Sequence, residues 1–162
     1  SPIVWDGYEA SCQRRAMLEK RTNLPVTGGS FAVAEALKNF GAKTIGIISP
    51  YMPIANKHIT QFFTDVGFSV ESFIGLQCPS PVEIAHVTAD ELSEALDQVD
   101  GTGIDALVQF GTNLHFMEQA AVEEENRQKP VIAINSASYW HTLRLKNINA
   151  RYKKYGRLLA EF

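Results

Sequence analysis

Four short apolar segments, each separated from the next by a longer segment with helical spacing, constrain the fold of this chain more than any other feature. They predict strands at residues 43–49, 68–74, 105–110 and 130–134. The intervals between them are long enough to hold helices, which predicts a parallel sheet, because parallel neighbours need a crossover of this length. Right-handed crossovers then favour the flavodoxin-like strand order 2-1-3-4. The predicted fold class is therefore α/β.

The segments between and around these strands carry apolar residues at helical intervals. One of them contains a further signal, because Thr88 is followed three residues later by Glu91, the spacing of a capping box that starts a new helix. The pattern predicts helices at 7–20, 31–40, 54–65, 82–99 with a break near Thr88, 114–128 and 139–145. Residues 152–162 show no pattern that assigns them a structure.

The chain is long enough for one cored domain, since it has 162 residues of which 45% are hydrophobic. Residues 1–41 have no predicted strand of their own and are interpreted as the remainder of an N-terminal lobe whose first strand would precede this chain. Residues 42–144 are interpreted as an intact α/β lobe. Residues 145–162 are expected to form a C-terminal tail that packs back on the first lobe.

Composition limits the partners and cofactors that the sequence favours. The net charge of −3 and the absence of a Lys/Arg run argue against nucleic acid and against an acidic membrane surface. No apolar run reaches membrane-spanning length and no signal peptide pattern opens the chain, so a cytoplasmic location is expected. Two cysteines without a CxxC spacing and four scattered histidines predict neither a disulfide framework nor a metal site.

Small and polar residues follow three of the predicted strands at the point where each strand ends. They are Ser49 and Tyr51 after the first strand, Gly111, Thr112 and Asn113 after the third, and Asn135 and Ser136 after the fourth. The order 2-1-3-4 brings these ends together at one edge of the sheet, where open α/β sheets bind ligands. Hydroxyls, amides and helix N-termini suit a small carboxylate or another compact anion. An ordinary βα turn at Gly111 is the alternative explanation.

Several segments also resemble a known family. The runs Phe110-Gly111-Thr112-Asn113-Leu114 and Lys129 to Arg144 closely resemble the C-terminal signature of the aspartate/glutamate racemase superfamily. Within it, the branch of maleate cis-trans isomerases and arylmalonate decarboxylases is the nearest. Leu24-Pro25-Val26-Thr27 and Ser49-Pro50-Tyr51 match that branch in order and spacing, and Tyr155-Gly156-Arg157-Leu158 is similar to its tail.

The resemblance implies two pseudo-symmetric α/β lobes with an active site between them, and chemistry without metal or organic cofactor. It also implies one catalytic cysteine at a strand end in each lobe. Gly111 stands where the second family cysteine would be, so it marks the position of a lost catalytic residue. The first cysteine is expected upstream of Ser1, because residues 1–7 resemble the run that follows a family Cys-Thr.

Two functions follow from the resemblance. The first is a cofactor-independent isomerase or decarboxylase that acts on the carbon next to a carboxylate of a small mono- or dicarboxylic acid. It would bind the substrate through Tyr51, Ser49, Thr112, Asn113 and Asn135. The second is a non-catalytic carboxylate-binding or structural remnant of the family. A homo-oligomer and a complementing N-terminal segment both remain open as assemblies.

Two expectations concern thiols. Cys12 is expected to be a packed helical residue and Cys78 an incidental, solvent-accessible thiol in a proline-rich loop, so neither is assigned chemistry. Substituting cysteine for Gly111 is expected to give a folded protein with a low thiol pKa, because the helix after the third strand would begin near Asn113. This expectation holds provided that Gly111 is not at positive φ.

Overall fold

The computed structural model describes residues 7–162, so the resemblance of residues 1–6 to a segment after a family cysteine lies outside the described residues. The elements are α1 (Gly7–Thr22), α2 (Gly29–Asn39), β1 (Thr44–Ser49), α3 (Pro53–Val66), β2 (Ser69–Gly75), α4 (Pro81–His86), α5 (Ala89–Val99), β3 (Ala106–Gln109), α6 (Met117–Arg127), β4 (Val131–Ala133), α7 (Ile134–Leu145), a 3-10 turn (Lys153–Tyr155) and α8 (Arg157–Glu161).

The four strands form one parallel sheet in the order β2-β1-β3-β4, which confirms the predicted topology. Ile47 in β1 lies opposite Phe73 on one side and Val108 on the other, and Val108 in turn lies opposite Ile132 in β4. The two central strands are almost wholly buried. Continuous apolar strands of this kind are expected where helices cover both faces of a sheet.

Helices cover the sheet on both faces and give three layers. On one face, Ile45, Ile47 and Val108 pack with α2, α3, α7 and the C-terminal α8. On the other face, Ile48 and Leu107 pack with α5 and with Ala120 of α6. No helix in residues 7–162 has the length and apolar character needed to cross a membrane.

Helix α2 packs closely against α7. Gly29 makes this approach possible, because a Cβ there would lie 2.6 Å from Cδ1 of Ile134. The buried residues of α2 belong to the same apolar cluster as those of the sheet. The proposed division into segments 1–41, 42–144 and 145–162 stays a prediction, but α2 shares its core with the sheet in this structure.

The C-terminal tail closes against the helices rather than extending into solvent. Leu158 and Leu159 are buried in the main cluster. The ring of Phe162 meets that of Phe40 at 4.9 Å in an edge-on arrangement, and the Arg157 guanidinium lies 5.2 Å from the Phe40 ring centre. The tail therefore contacts both the end of α2 and the pair α6 and α7.

The break predicted near Thr88 is confirmed. Helix α4 ends at His86 and α5 begins at Ala89, with a complete capping box. The Thr88 hydroxyl accepts from the Glu91 backbone N–H, and the Glu91 carboxylate accepts from the Thr88 backbone N–H at 2.8 Å. The Glu91 carboxylate also accepts from the Thr88 hydroxyl, and the two hydrogen bonds that it accepts, from the backbone N–H and from the hydroxyl, lower the pKa of Glu91.

Two predicted helix starts are wrong. Helix α6 begins at Met117 and not at residue 114, because Leu114 and Phe116 are inserted into the core and hold the backbone in a turn. Helix α7 begins at Ile134 and not at residue 139. Its buried positions Ile134, Ala137 and Trp140 recur every three residues, which extends the helical pattern back to the end of β4.

Candidate functional site

Gly111 follows β3 in a conformation that disfavours any side chain. Its φ is +156°, and a Cβ would lie 2.5 Å from Cδ and 2.7 Å from Cγ of Pro50. The pyrrolidine ring that follows β1 therefore occupies the space in front of Gly111. Gln109, which is buried, donates from Nε2 to the Gly111 carbonyl oxygen at 2.7 Å and fixes the backbone.

This geometry overturns the expectation that Gly111→Cys folds without difficulty. The condition attached to it fails, because Gly111 is at positive φ and the Cβ position is blocked by Pro50. The second reason for the expectation fails as well. The next helix begins at Met117, so a thiol at residue 111 would not sit at a helix N-terminus.

Ser49 and Tyr51 lie at the end of β1, next to the end of β3. Ser49 is fully buried, and its hydroxyl donates to Oδ1 of Asn56 at 2.8 Å and accepts from the Tyr51 backbone N–H at 3.3 Å. Ser49 thus holds the backbone of this strand end in place. Tyr51 packs against both apolar clusters. Burial raises the pKa of Tyr51, so its hydroxyl stays a donor at neutral pH.

The ends of β3 and β4 are joined by side-chain hydrogen bonds. Asn135, in the first turn of α7, donates from Nδ2 to the Thr112 carbonyl oxygen at 3.0 Å. The Asn113 amide donates to the carbonyl oxygen of Pro81, and the Leu114 N–H donates to the Gly111 carbonyl oxygen at 3.2 Å. These contacts fold the segment after β3 into a compact turn.

This turn borders an open cleft of about 600 Å³ at the carboxyl edge of the sheet. The cleft brings together three of the predicted site residues, while Ser49 and Tyr51 lie outside its lining. Its lining residues are Ala89, Thr112, Asn113, Leu114, His115, Phe116, Met117, Glu118, Gln119, Asn135 and Tyr155.

The cleft carries donors and little uncompensated charge. Among the residues that the structure describes, Glu118 is the one carboxylate in the lining, and it accepts from the Lys154 ammonium at 2.6 Å. The first turn of α6, from Met117 onward, faces the cleft and has no side-chain cap, so backbone N–H groups remain available there. Hydroxyl, amide and imidazole groups beside free N–H groups can hold carboxylate oxygens.

Neither cysteine lines this cleft, and both are partly buried. Cys12 packs against the main apolar cluster, as expected for a helical residue. Cys78 packs against the second cluster and keeps part of its surface exposed. Burial raises the pKa of Cys78, and the nearby Glu91 and Glu83 raise it further, so its thiol is a poor nucleophile. Within residues 7–162, no three His, Cys, Asp or Glu side chains form a group that could hold a metal ion.

Two residues of this region were missed from the sequence. Gln109 lies inside the apolar run of the third predicted strand, where an amide side chain signals a specific hydrogen bond. Its Oε1 has no partner in the described part of the chain, while its Nε2 holds Gly111. Tyr155 belongs to a tail whose fold could not be assigned, and only its Tyr-Gly-Arg sequence hinted at a role.

Comparison with protein families places nearly the whole chain in one match. A family described as arylmalonate decarboxylase matches residues 4–159. Among curated proteins, the maleate isomerase of Alcaligenes faecalis is 24% identical over 160 residues, which cover 96% of this chain and 63% of that protein. The maleate isomerase of Geobacillus stearothermophilus is 24% identical over 157 residues, with 94% and 62% covered. The chain thus spans less than two thirds of the length of these curated relatives.

Solved structures show the same fold. A Nocardia farcinica maleate cis-trans isomerase bound to TRIS superposes with a TM-score of 0.88 at 21% identity, covering 98% of this chain and 67% of that chain. A crystal structure of arylmalonate decarboxylase gives a TM-score of 0.86 at 20% identity, with 96% and 69% covered. A maleate isomerase from Pseudomonas putida S16 with maleate gives 0.84 at 20% identity, with 94% and 62% covered.

Proposed function

Because the chain belongs to the arylmalonate decarboxylase family, we propose that it functions as a cofactor-independent isomerase or decarboxylase. The substrate is a small carboxylic acid, preferably a dicarboxylic acid. The reaction takes place at the carbon next to a carboxylate. Maleate isomerases and arylmalonate decarboxylase, its relatives and structural neighbours, are named for reactions on such acids.

One observation carries this proposal. Asn135 joins the ends of β3 and β4 by its hydrogen bond to the Thr112 carbonyl oxygen, beside a cleft whose walls offer hydroxyl, amide and backbone donors. Ligands of open α/β sheets bind at this edge. A carboxylate needs several donors and no neighbouring unpaired acid, and the described cleft meets both conditions.

The chemistry follows from where negative charge develops. When the carbon next to a carboxylate loses a proton or a carboxyl group, the remaining carboxylate takes on the character of an enediolate, and so does one carboxylate of maleate when a nucleophile adds to the double bond, before rotation and loss of that nucleophile give fumarate. Fixed donors stabilise this species more than they stabilise the substrate. In the proposal, Thr112 and Asn113 supply these donors, and Tyr51 supplies a protonated hydroxyl from the neighbouring strand end. Neither Cys12 nor Cys78 is assigned a catalytic role.

Proton NMR with maleate and with phenylmalonate tests this proposal on the chain of residues 1–162. We expect both acids to bind, as seen by line broadening that an excess of the other acid reverses. Formation of fumarate would assign isomerase activity, and formation of phenylacetate would assign decarboxylase activity. Binding without turnover would support a carboxylate site in these residues, without a reacting acid or nucleophile among them. Failure of both acids to bind would contradict the enzyme and the carboxylate-binding alternative, and would favour the structural remnant.

Replacement of Tyr51 by Phe is expected to weaken maleate binding by at least about tenfold. The substitution keeps the packed ring and deletes one hydrogen bond to a charged group, which contributes about 1.5–3 kcal/mol. Isothermal titration calorimetry measures the loss. Tyr139→Phe is the control, because the Tyr139 hydroxyl is bonded to that of Tyr152, at 3.2 Å, and Tyr139 lies within α7, beyond the strand ends. Equal affinity of parent and Tyr51→Phe would remove Tyr51 from the site.

A further inference from the structure

Tyr155 reaches the candidate cleft from the C-terminal tail, far along the chain from the other lining residues. It is half-buried, and it lines the cleft together with Thr112 and Asn135. Its hydroxyl has no hydrogen-bond partner within residues 7–162. We propose that Tyr155 is a specificity-determining residue, which donates a hydrogen bond to the second oxygen-bearing group of a small dicarboxylate. This inference rests on the proposed function, because it concerns the same cleft.

The tail is held in the position that this role requires. Gly156 follows Tyr155 with φ at +87°, and a Cβ there would lie 2.7 Å from Oε2 of Glu124. A glycine therefore allows the backbone to turn and to approach the carboxylate. The next residue, Arg157, donates its backbone N–H to the same Oε2 at 2.7 Å.

Glu124 connects this turn to the sheet. Although it lies on α6, its side chain is almost completely buried, with 6% of its surface exposed. Its Oε1 accepts from the backbone N–H of Val131, the first residue of β4, at 3.1 Å. One carboxylate thus links the start of β4 to the residue after Gly156. Burial raises the pKa of Glu124, whereas the two backbone N–H donors act in the opposite direction.

The surroundings of Tyr155 suit a second anionic group and not a purely apolar one. The Lys154 ammonium lies 5.4 Å from the centre of the Tyr155 ring. Since Lys154 is paired with Glu118, it adds little net charge, and the phenol hydroxyl is left as the available donor. A first carboxylate would bind at the Thr112 turn and a second at Tyr155. Glu124 acts through the backbone of Gly156 and Arg157, so it is a positioning residue.

Two acids that differ at one group provide the test. Maleate carries two carboxylates, while isocrotonate has the same cis double bond with a methyl group in place of one of them. Tyr155→Phe should weaken maleate binding at least about tenfold and change isocrotonate binding less than about twofold. Tyr139→Phe is again the control and should change neither. Calorimetry on residues 1–162 gives both affinities.

A double-mutant cycle tests the positioning role. Glu124→Gln keeps the shape of the side chain and replaces one of its two acceptor oxygens by a donor. It should selectively weaken maleate binding, and combining it with Tyr155→Phe should add less than about twofold to the loss of either variant alone. If Glu124 had a purely structural role, Glu124→Gln would weaken the binding of both acids equally. Fully additive losses would mean that Glu124 and Tyr155 act independently of each other. Either result would overturn the positioning role.

The possible failures are distinguishable. If the parent binds maleate and Tyr155→Phe binds it equally well, Tyr155 is not the specificity residue, while the proposed function stands. If Tyr155→Phe weakens the binding of both acids to the same extent, Tyr155 shapes the cleft and does not recognise a second carboxylate. That result also overturns the inference. If the parent binds neither acid, the proposed function and the inference both fail.

Discussion

Gly111→Ala is expected to lower the free energy of unfolding by about 2–4 kcal/mol. A methyl group at this position would meet the Pro50 ring at 2.5 Å, closer than van der Waals contact allows. Overpacking of this kind costs about 1–3 kcal/mol, and the positive φ of 156° adds about 1 kcal/mol for any residue with a Cβ. Urea unfolding followed by circular dichroism measures the difference.

Gly103→Ala is the matched control, because a Cβ at Gly103 would have no atom within 4 Å. It should change stability by less than about 0.5 kcal/mol. Pro50→Gly in the Gly111→Ala background should recover the part of the loss that comes from overpacking. An unchanged stability of Gly111→Ala would mean that the Pro50 ring moves aside easily, and would reopen the prospect of a functional thiol at this position.

The arrangement of Pro50 and Gly111 bears on the proposed reaction. In this chain the place of a side chain at Gly111 is filled by a rigid ring, so no group at residue 111 can exchange protons with a substrate. The proposed chemistry is therefore one-sided, with its acid or nucleophile supplied from another position. One-sided chemistry suits decarboxylation, which needs one proton donor, better than racemisation, which needs a proton acceptor and a donor on opposite faces.

The sheet was predictable from sequence because its signals are local. The run Lys43 to Ser49 has an apolar centre, residues 45–48, and ends at a polar residue, and the capping box at Thr88 is contained in four positions. The strand order followed from chain length and crossover handedness. The start of α6 was not predictable in this way, because Leu114 and Phe116 fit a helical pattern. In the structure they pack as core residues of a turn.

The candidate site was predictable only in part, for a similar reason. Thr112, Asn113 and Asn135 were found because they follow strands, and strand ends are set by sequence order. The contact of Pro50 with Gly111 depends on the register of β1 and β3, which no local pattern reveals. Tyr155 joins the site because the tail folds back onto α6, held in part by the hydrogen bond between Arg157 and Glu124, which are 33 positions apart.

Arg127→Ala is expected to destabilise the chain by about 3 kcal/mol at neutral pH. The Arg127 guanidinium is nearly buried and pairs with Glu123 at 2.9 Å, Asp97 at 2.7 Å and Asp100 at 3.2 Å. Its removal would leave the Glu123 carboxylate, 5% exposed, without its cation, and breaking a buried pair costs about 3–5 kcal/mol. The low end of this range applies because Asp97 is exposed and Lys129 still pairs with Asp100.

The loss should depend on pH in a defined direction. Burial favours the neutral form of Asp100, but hydrogen bonds from Lys129 and Arg127 outweigh it and lower the pKa of Asp100 below its ordinary value of 3.8. Because folding lowers the pKa of Asp100, its ionised form stabilises the folded state. This contribution is fully present above pH 3.8, the ordinary pKa, and is lost as the pH falls through the lower pKa of the folded state. Parent and Arg127→Ala should therefore differ most near about pH 7 and less near about pH 3 in urea unfolding. Lys38→Ala, which breaks the exposed Lys38–Glu35 pair, should cost less than about 0.5 kcal/mol at both pH values. A loss from Arg127→Ala no larger than that of Lys38→Ala would mean that the cluster at the ends of α5 and α6 contributes no more than a surface ion pair.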